Sequence, residues 1–285
     1  MPRSGARAAA AGMSMYSPCV RPVVIAQRLL YIAVRVLGPG VLPGRRDAWK
    51  DPVETEIWNS FNAQWQELCG IWDSAALYQR PQSGRSGFAL LLLREGRGVG
   101  FIRVTASRLR AEKEFSVMRA VHAARPETFS IARPLGHGHG GEWAWLATES
   151  VPNYPLGAVR RSTTREKVTA EISTVLDEVL QRGSETPRHW QGSHGDLAPW
   201  NLRTEWGGAV RVIDWEDAAF APPGVDLLYG ALTAHLTFGA RLPTATNIEA
   251  AQWVAELVST RRTVDEGMGS VNNRLLAALE CVPAH

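Results

Sequence analysis

The chain has 285 residues, 45% of them hydrophobic, enough to bury a substantial core in one large domain or two lobes and to fold as a soluble globule. Its formal charge of +3 comes mostly from arginine, with Lys50, Lys113 and Lys167 the only lysines, and the arginines are scattered, which argues against a nucleic-acid-binding stripe. Cys19, Cys69 and Cys281 are far apart and form no C-x-x-C pair, so neither a disulfide framework nor a zinc site is indicated and a reducing, cytoplasmic setting fits best.

Residues 1–50 read as an N-terminal extension, partly disordered, with one helix. Met1–Gly12 is rich in Arg and Ala, and Val23–Leu37 is apolar. Arg28 and Arg35 interrupt that apolar run, it is too short to span a bilayer, and no small-residue cleavage site follows, which excludes an integral membrane segment. Gln27–Leu37 is expected as an amphipathic helix, with weak association of residues 23–37 with a membrane surface as the alternative.

Asp51-Pro52-Val53-Glu54 has the form of a helix cap with proline at the first helical position, and Gly70 stands where that helix would stop. Between them Ile57, Trp58, Phe61, Trp65 and Leu68 recur at helical spacing and are assigned to the core. Short apolar runs follow at Ala75–Tyr78, Phe88–Leu93 and Val99–Val104, with a polar loop over 79–87 and a tight turn over 94–98. They predict a three-strand antiparallel meander. In the first loop, Ser83 and Gly84 could lay backbone amides over a phosphate. A helix is expected over Ser107–Ala124 with Leu109, Phe115, Met118 and Val121 inward. Pro134–Gly141 reads as a chain break, Trp143–Thr148 as a strand, and Glu149–Pro155 as a hinge between an N-lobe (51–149) and a C-lobe (150–285). Helices dominate afterwards: one opened by a Thr163/Glu166 capping box and ended at Gly183, then patterns at Val225–Leu236, Ile248–Val258 and Val264–Leu279. The predicted class is α+β, a two-lobed protein-kinase-like fold with an antiparallel-sheet N-lobe and a mainly helical C-lobe.

The chemistry concentrates in Gly192–Asp217. Asp196 and Asn201 lie five positions apart, the spacing of a kinase catalytic loop in which the aspartate orients and deprotonates the attacking hydroxyl and the asparagine holds magnesium. An apolar strand, Ala209–Ile213, then ends in Asp214. Carboxylate and amide oxygens are hard donors of the kind magnesium prefers. Glu216 and Asp217 read as solvent or substrate-rim carboxylates.

H-G-D-L-A-P-W-N at 194–201, V-I-D-W-E-D at 212–217 and P-P-G-V-D-L at 222–227 closely resemble the aminoglycoside phosphotransferase and choline kinase-like family of small-molecule kinases. The resemblance implies an ATP- or GTP-using, Mg2+-dependent transfer to a small-molecule hydroxyl, with no nucleic-acid partner. It assigns Asp196 as catalytic base, Asn201 and Asp214 as magnesium ligands, and His194 and Asp226 as structural support. Ser83, Gly84, Arg103, Glu114, Glu149 and Val151 are the candidate nucleotide-binding residues.

One departure stands out: where the family's third strand carries a lysine, this chain has Arg103 in G-F-I-R-V. Arginine keeps the charge but not the geometry. Paired to Glu114 or Glu112 it serves with altered geometry, or nucleotide handling is weakened. A pseudokinase-like nucleotide-binding protein is therefore the alternative. A metal-dependent hydrolase built on His194, Asp196 and Asp214 ranks below both, because His137, His139 and His189 show no ligand spacing.

Overall fold

The computed structural model describes residues 5–15, 18–42, 53–79, 87–150, 154–264 and 269–285. Asp51, Pro52, Ser83, Gly84 and Val151, singled out above, lie outside them. The chain divides into two compact units, the first within residues 1–80, 86–115 and 132–156, the second built mainly from 116–131 and 157–285. The class is α+β, as the sequence implies.

The first unit begins with two helices, α1 (Ala6–Met13) and α2 (Arg21–Leu37). The sequence reading expects one helix here, from Gln27; α2 starts six residues earlier, at Arg21, and α1 is a second helix beside it. The run of alanines explains α1. Ala8 and Ala11 bury against Ala76, Leu91 and Leu93, and small side chains let a helix lie close on a sheet.

Helix α3 (Thr55–Cys69) follows. Glu54 is the N-cap, without a side-chain cap bond, and Val53 before it packs into the core. The strands β1 (Ser74–Gln79), β2 (Gly87–Arg94) and β3 (Arg97–Thr105) form the predicted meander, and Glu95 and Gly96 turn the second hairpin with positive φ. Helix α4 (Arg108–Ala124) precedes β4 (Pro134–Gly140) and β5 (Trp143–Thr148). All five strands join one antiparallel sheet in the order β1-β2-β3-β5-β4. Strand β4 corrects the expected chain break. Its glycines are not breakers: a Cβ on Gly138 would lie 2.6 Å from the Trp145 ring, so the small residue makes room for the aromatic core. That core joins Phe61 and Trp65 of α3 to Phe88, Leu90, Leu92, Ile102, Val104 and Trp145. Strand β2 is apolar from Phe88 to Leu93 because α3 covers one face and α1 the other.

Within α4, Leu109 is 79% exposed rather than inward. The buried side runs through Ala111, Glu114, Val117, Met118 and Val121. A charged residue, Glu114, occupies the inward face, which is why apolar periodicity alone misplaces it.

The second unit contains β6 (Gly157–Ala158), α5 (Ser162–Val179), β7 (Gln191–Ser193), β8 (Leu202–Thr204), β9 (Val210–Val212), β10 (Ala219–Ala221), α6 (Val225–Phe238), α7 (Ile248–Val264) and α8 (Gly269–Glu280). Helix α5 departs from its expected ends: Arg161 is the N-cap without a side-chain cap bond, and Leu180 ends the helix before Gly183. Arg165 instead reaches back to the Arg160 carbonyl at 2.7 Å. Strands β6, β8 and β9 form one small antiparallel sheet, and β7 pairs with β10. Ala198, Leu228, Leu232, Val254, Val258 and Leu275 bind α6, α7 and α8 into one core around the loop after β7.

Candidate active site

Two short antiparallel strand pairs, β7 with β10 and β8 with β9, frame the site. Strand β7 delivers the chain to His194, the loop 194–201 turns back into β8, and β9 brings it to Asp214. The loop is tied by its own backbone: the Ala198 N–H donates to the Asp196 carbonyl at 2.7 Å and the Asn201 N–H to the Ala198 carbonyl at 2.9 Å. Asn201 then reaches over the turn, its Nδ2 donating to the Asp196 carbonyl at 2.8 Å and to Asp196 Oδ2 at 2.9 Å. The amide nitrogen is thereby committed, which leaves Asn201 Oδ1 as the oxygen suited to a cation.

His194 is fully buried and holds two parts of the site together. Its Nε2 bonds the Ile213 carbonyl at 3.1 Å and the Asp196 N–H donates to its Nδ1 at 3.3 Å. Since a carbonyl only accepts, Nε2 carries the hydrogen. The Ile213 N–H in turn donates to the Asn201 carbonyl at 3.1 Å. Ile213 is thus pinned from both sides, and Asp214 follows it in a left-handed conformation, φ 69 and ψ 63. Aspartate tolerates that region better than most residues. The bend turns the chain from β9 into the 3-10 turn Trp215–Asp217, and Trp215 packs its ring on His194 at 4.8 Å.

Asp226, in the first turn of α6, accepts the His194 N–H at 2.7 Å and the Gly195 N–H at 3.1 Å. Burial raises its pKa, opposed by His194 and by these amides. It touches the loop's backbone, in keeping with a supporting rather than a chemical part. Gly195 is required on two counts: its φ is +79°, and an added Cβ would lie 2.6 Å from the Asp217 carbonyl oxygen. Gly195→Ala is expected to destabilise the protein by at least about 2 kcal/mol, since it combines a left-handed alanine with a backbone clash. Urea unfolding checks this, and an unchanged midpoint would contradict it.

The sequence reading missed the partner of Asp196. Arg261, in the last turn of α7, donates from Nη1 to Asp196 Oδ1 at 2.7 Å and to the Tyr229 hydroxyl at 2.7 Å, and from Nη2 to Asp217 Oδ2 at 3.0 Å. Its side chain is 13% exposed. No local signal points to it. Arg261-Arg262 reads as a basic helix end, and 65 residues separate it from Asp196. Asp217 is therefore ion-paired and Glu216 buried, so of the two readings, solvent or substrate rim, neither residue is a free solvent carboxylate, and Asp217, 26% exposed, keeps a rim position. Burial pushes the Asp196 carboxyl up, Arg261 opposes this, and the nearby Asp214 charge adds to it, leaving a net upward shift. Burial would weaken the Arg261 cation, but Asp196, Tyr229 and Asp217 outweigh it and hold it more firmly protonated.

Among the described residues no cluster of three or more His, Cys, Asp and Glu side chains could hold a metal. Two protein oxygens, from Asn201 and Asp214, fit a magnesium ion only when phosphate and water complete its shell. In the first unit, Arg103 pairs with buried Glu114, and Arg108 pairs with Glu112, which decides between the two partners considered for Arg103. The Glu149 N–H donates to the Arg133 carbonyl at 2.9 Å, and the Glu149 carbonyl accepts from the Thr148 hydroxyl at 3.0 Å.

Residues 155–257 match the model of the APH phosphotransferase enzyme family. The matched segment contains Asp196, Asn201, Asp214 and Asp226 and stops short of Arg261. No curated protein matches the chain in sequence. Among solved structures, a spectinomycin phosphotransferase complexed with ADP and spectinomycin is similar at 12% identity and TM-score 0.50, over 80% of this chain and 90% of that one. An amicoumacin kinase bound to AMP-PNP and Ca2+ aligns at 9% identity and TM-score 0.49, over 79% and 86%. The first of these likenesses concerns the fold. Residues 155–257 carry the signature of the phosphotransferase enzyme family, and the fold is protein-kinase-like, similar to that of the spectinomycin phosphotransferase.

Proposed function

We propose that the chain moves the γ-phosphoryl group of ATP or GTP to a hydroxyl of a small molecule, with magnesium as cofactor. The observation that carries this reading is the Asp196 carboxylate, buried and held on one oxygen by Asn201 and on the other by Arg261. A carboxylate so fixed, with its pKa raised by burial, orients an acceptor hydroxyl and takes its proton as the new P–O bond forms. Asn201 Oδ1 and the Asp214 carboxylate are the magnesium ligands in this reading. Magnesium bound there would neutralise charge on the phosphates. Arg103, paired to Glu114, is the phosphate contact of the nucleotide, with Ser83, Gly84, Glu149 and Val151 as its further candidate contacts. His194 and Asp226 hold the loop.

The acceptor is a sugar, amino alcohol, antibiotic or other metabolite. Nucleotide consumption across a panel of such alcohols, with mass detection of the product, tests the proposal. A phosphorylated alcohol supports it, and nucleotide loss that never depends on an acceptor contradicts it.

Arg103 also motivates a second reading, a nucleotide-binding protein with weakened catalysis. Arg103→Lys discriminates the two. In a working enzyme the substitution lowers kcat/KM by about tenfold or more, because lysine cannot reproduce the planar guanidinium paired to Glu114. A gain in activity would favour decay from an ancestral lysine enzyme.

A further inference from the structure

Helix α2 carries a surface that the candidate site does not use. One side faces α1: Val34 is fully buried, Leu30 and Tyr31 pack on Ala9, Ala10 and Met13, and Gln27 Nε2 donates to the Met13 carbonyl at 2.9 Å. On the other side lie Ile25, Leu29, Ile32 and Val36, at 58, 63, 57 and 74% exposure. Their spacing of four, three and four residues lines them up as one stripe along the helix. Single exposed apolar residues are ordinary, but four large ones in a row mark a contact surface.

Arg21, Arg28 and Arg35 repeat every seven residues, so they form a second row beside the stripe, and all three are exposed. The first 46 residues contain seven arginines and no aspartate or glutamate. No helix among the described residues is long and apolar enough to cross a membrane. An apolar stripe edged by arginines, on a helix too polar to span, is the chemistry of a helix lying in the plane of an anionic bilayer surface. A second copy of the chain fits less well, because apposing two such faces would bring two arginine rows together.

We propose that α2 docks the protein on an anionic membrane surface, with Ile25, Leu29, Ile32 and Val36 in the acyl boundary and Arg21, Arg28 and Arg35 among the headgroups. The docking is independent of the reading of the active site. Co-sedimentation of the full chain with phosphatidylcholine vesicles, with and without phosphatidylglycerol, tests it. Binding is expected only to the anionic vesicles and should weaken as salt rises. Each Arg→Gln substitution at 21, 28 or 35 should lower the partition coefficient by about fivefold. Replacing Leu29, Ile32 and Val36 together by serine should lower it by more than about tenfold. These positions are exposed, so the variants should fold as the parent does, and circular dichroism checks that. The proposal is overturned if the parent stays in the supernatant with anionic vesicles at low salt, or if the triple-serine variant sediments as the parent does. It is equally overturned if velocity sedimentation without lipid shows a dimer that the serine substitutions dissolve.

Discussion

Asp196→Asn is expected to lower kcat by about 10²–10⁴-fold, the range for losing a positioned general base, while the protein stays folded. Asparagine keeps an oxygen for one partner of the original carboxylate, so the turn over 196–201 survives, but it takes no proton from an acceptor. The substitution also leaves Arg261 with one carboxylate partner, Asp217, in place of two. Steady-state kinetics with circular dichroism separates the effects. Turnover like that of the parent in a folded Asp196→Asn protein would remove Asp196 from the chemistry.

Arg261→Met should have the largest effect on stability. Arg261 joins Asp196, Asp217 and Tyr229, which come from the loop after β7, the turn after β9 and α6. Removing it leaves two carboxylates near each other, one of them buried, without the Arg261 counter-charge they share. Breaking a buried pair in this way costs about 3–5 kcal/mol, and because Asp217 is 26% exposed, solvent screening places the expected loss toward the lower end. Urea unfolding of the full chain should show it as a clear drop in midpoint. Arg261→Lys should recover only part of the loss, since one ammonium cannot reproduce the planar fork that spans Asp196 Oδ1 and Asp217 Oδ2. An unchanged midpoint in Arg261→Met would mean the guanidinium is a surface decoration of the site.

The chain's local signals carried the fold unevenly. The meander of β1, β2 and β3 is readable because its turns hold Glu95-Gly96 and its runs have strand length. The helical patterns of α6, α7 and α8 are readable because their apolar stripes face a single core. Helix α1 is not, because alanine fits many environments and only the packing on Leu91 and Leu93 assigns it. Strand β4 is not, because glycines that serve close packing look like glycines that break a chain. Leu109 was misplaced because a buried ion pair, Arg103 with Glu114, puts a charge where periodicity expects an apolar residue.

The site divides along the same line. Asn201 meets Asp196, and His194 meets Ile213, within 20 residues of chain, so spacing alone foreshadows the arrangement. Asp226 is farther, yet the P-P-G-V-D-L run marks it. Arg261 and Tyr229 reach Asp196 only because α6 and α7 fold against the loop, and no spacing encodes that contact. The part of the site with recognisable spacing also lies within the matched segment 155–257, whereas Arg261 lies beyond it.

The central claim is that phosphoryl passes from nucleotide to an alcohol. The direct measurement is the fate of label from γ-labelled ATP, incubated with the protein, magnesium and an accepted alcohol. Label on the alcohol oxygen, dependent on magnesium and lost in Asp196→Asn, is the predicted result. Label appearing only as free phosphate, or remaining on the nucleotide, would contradict it.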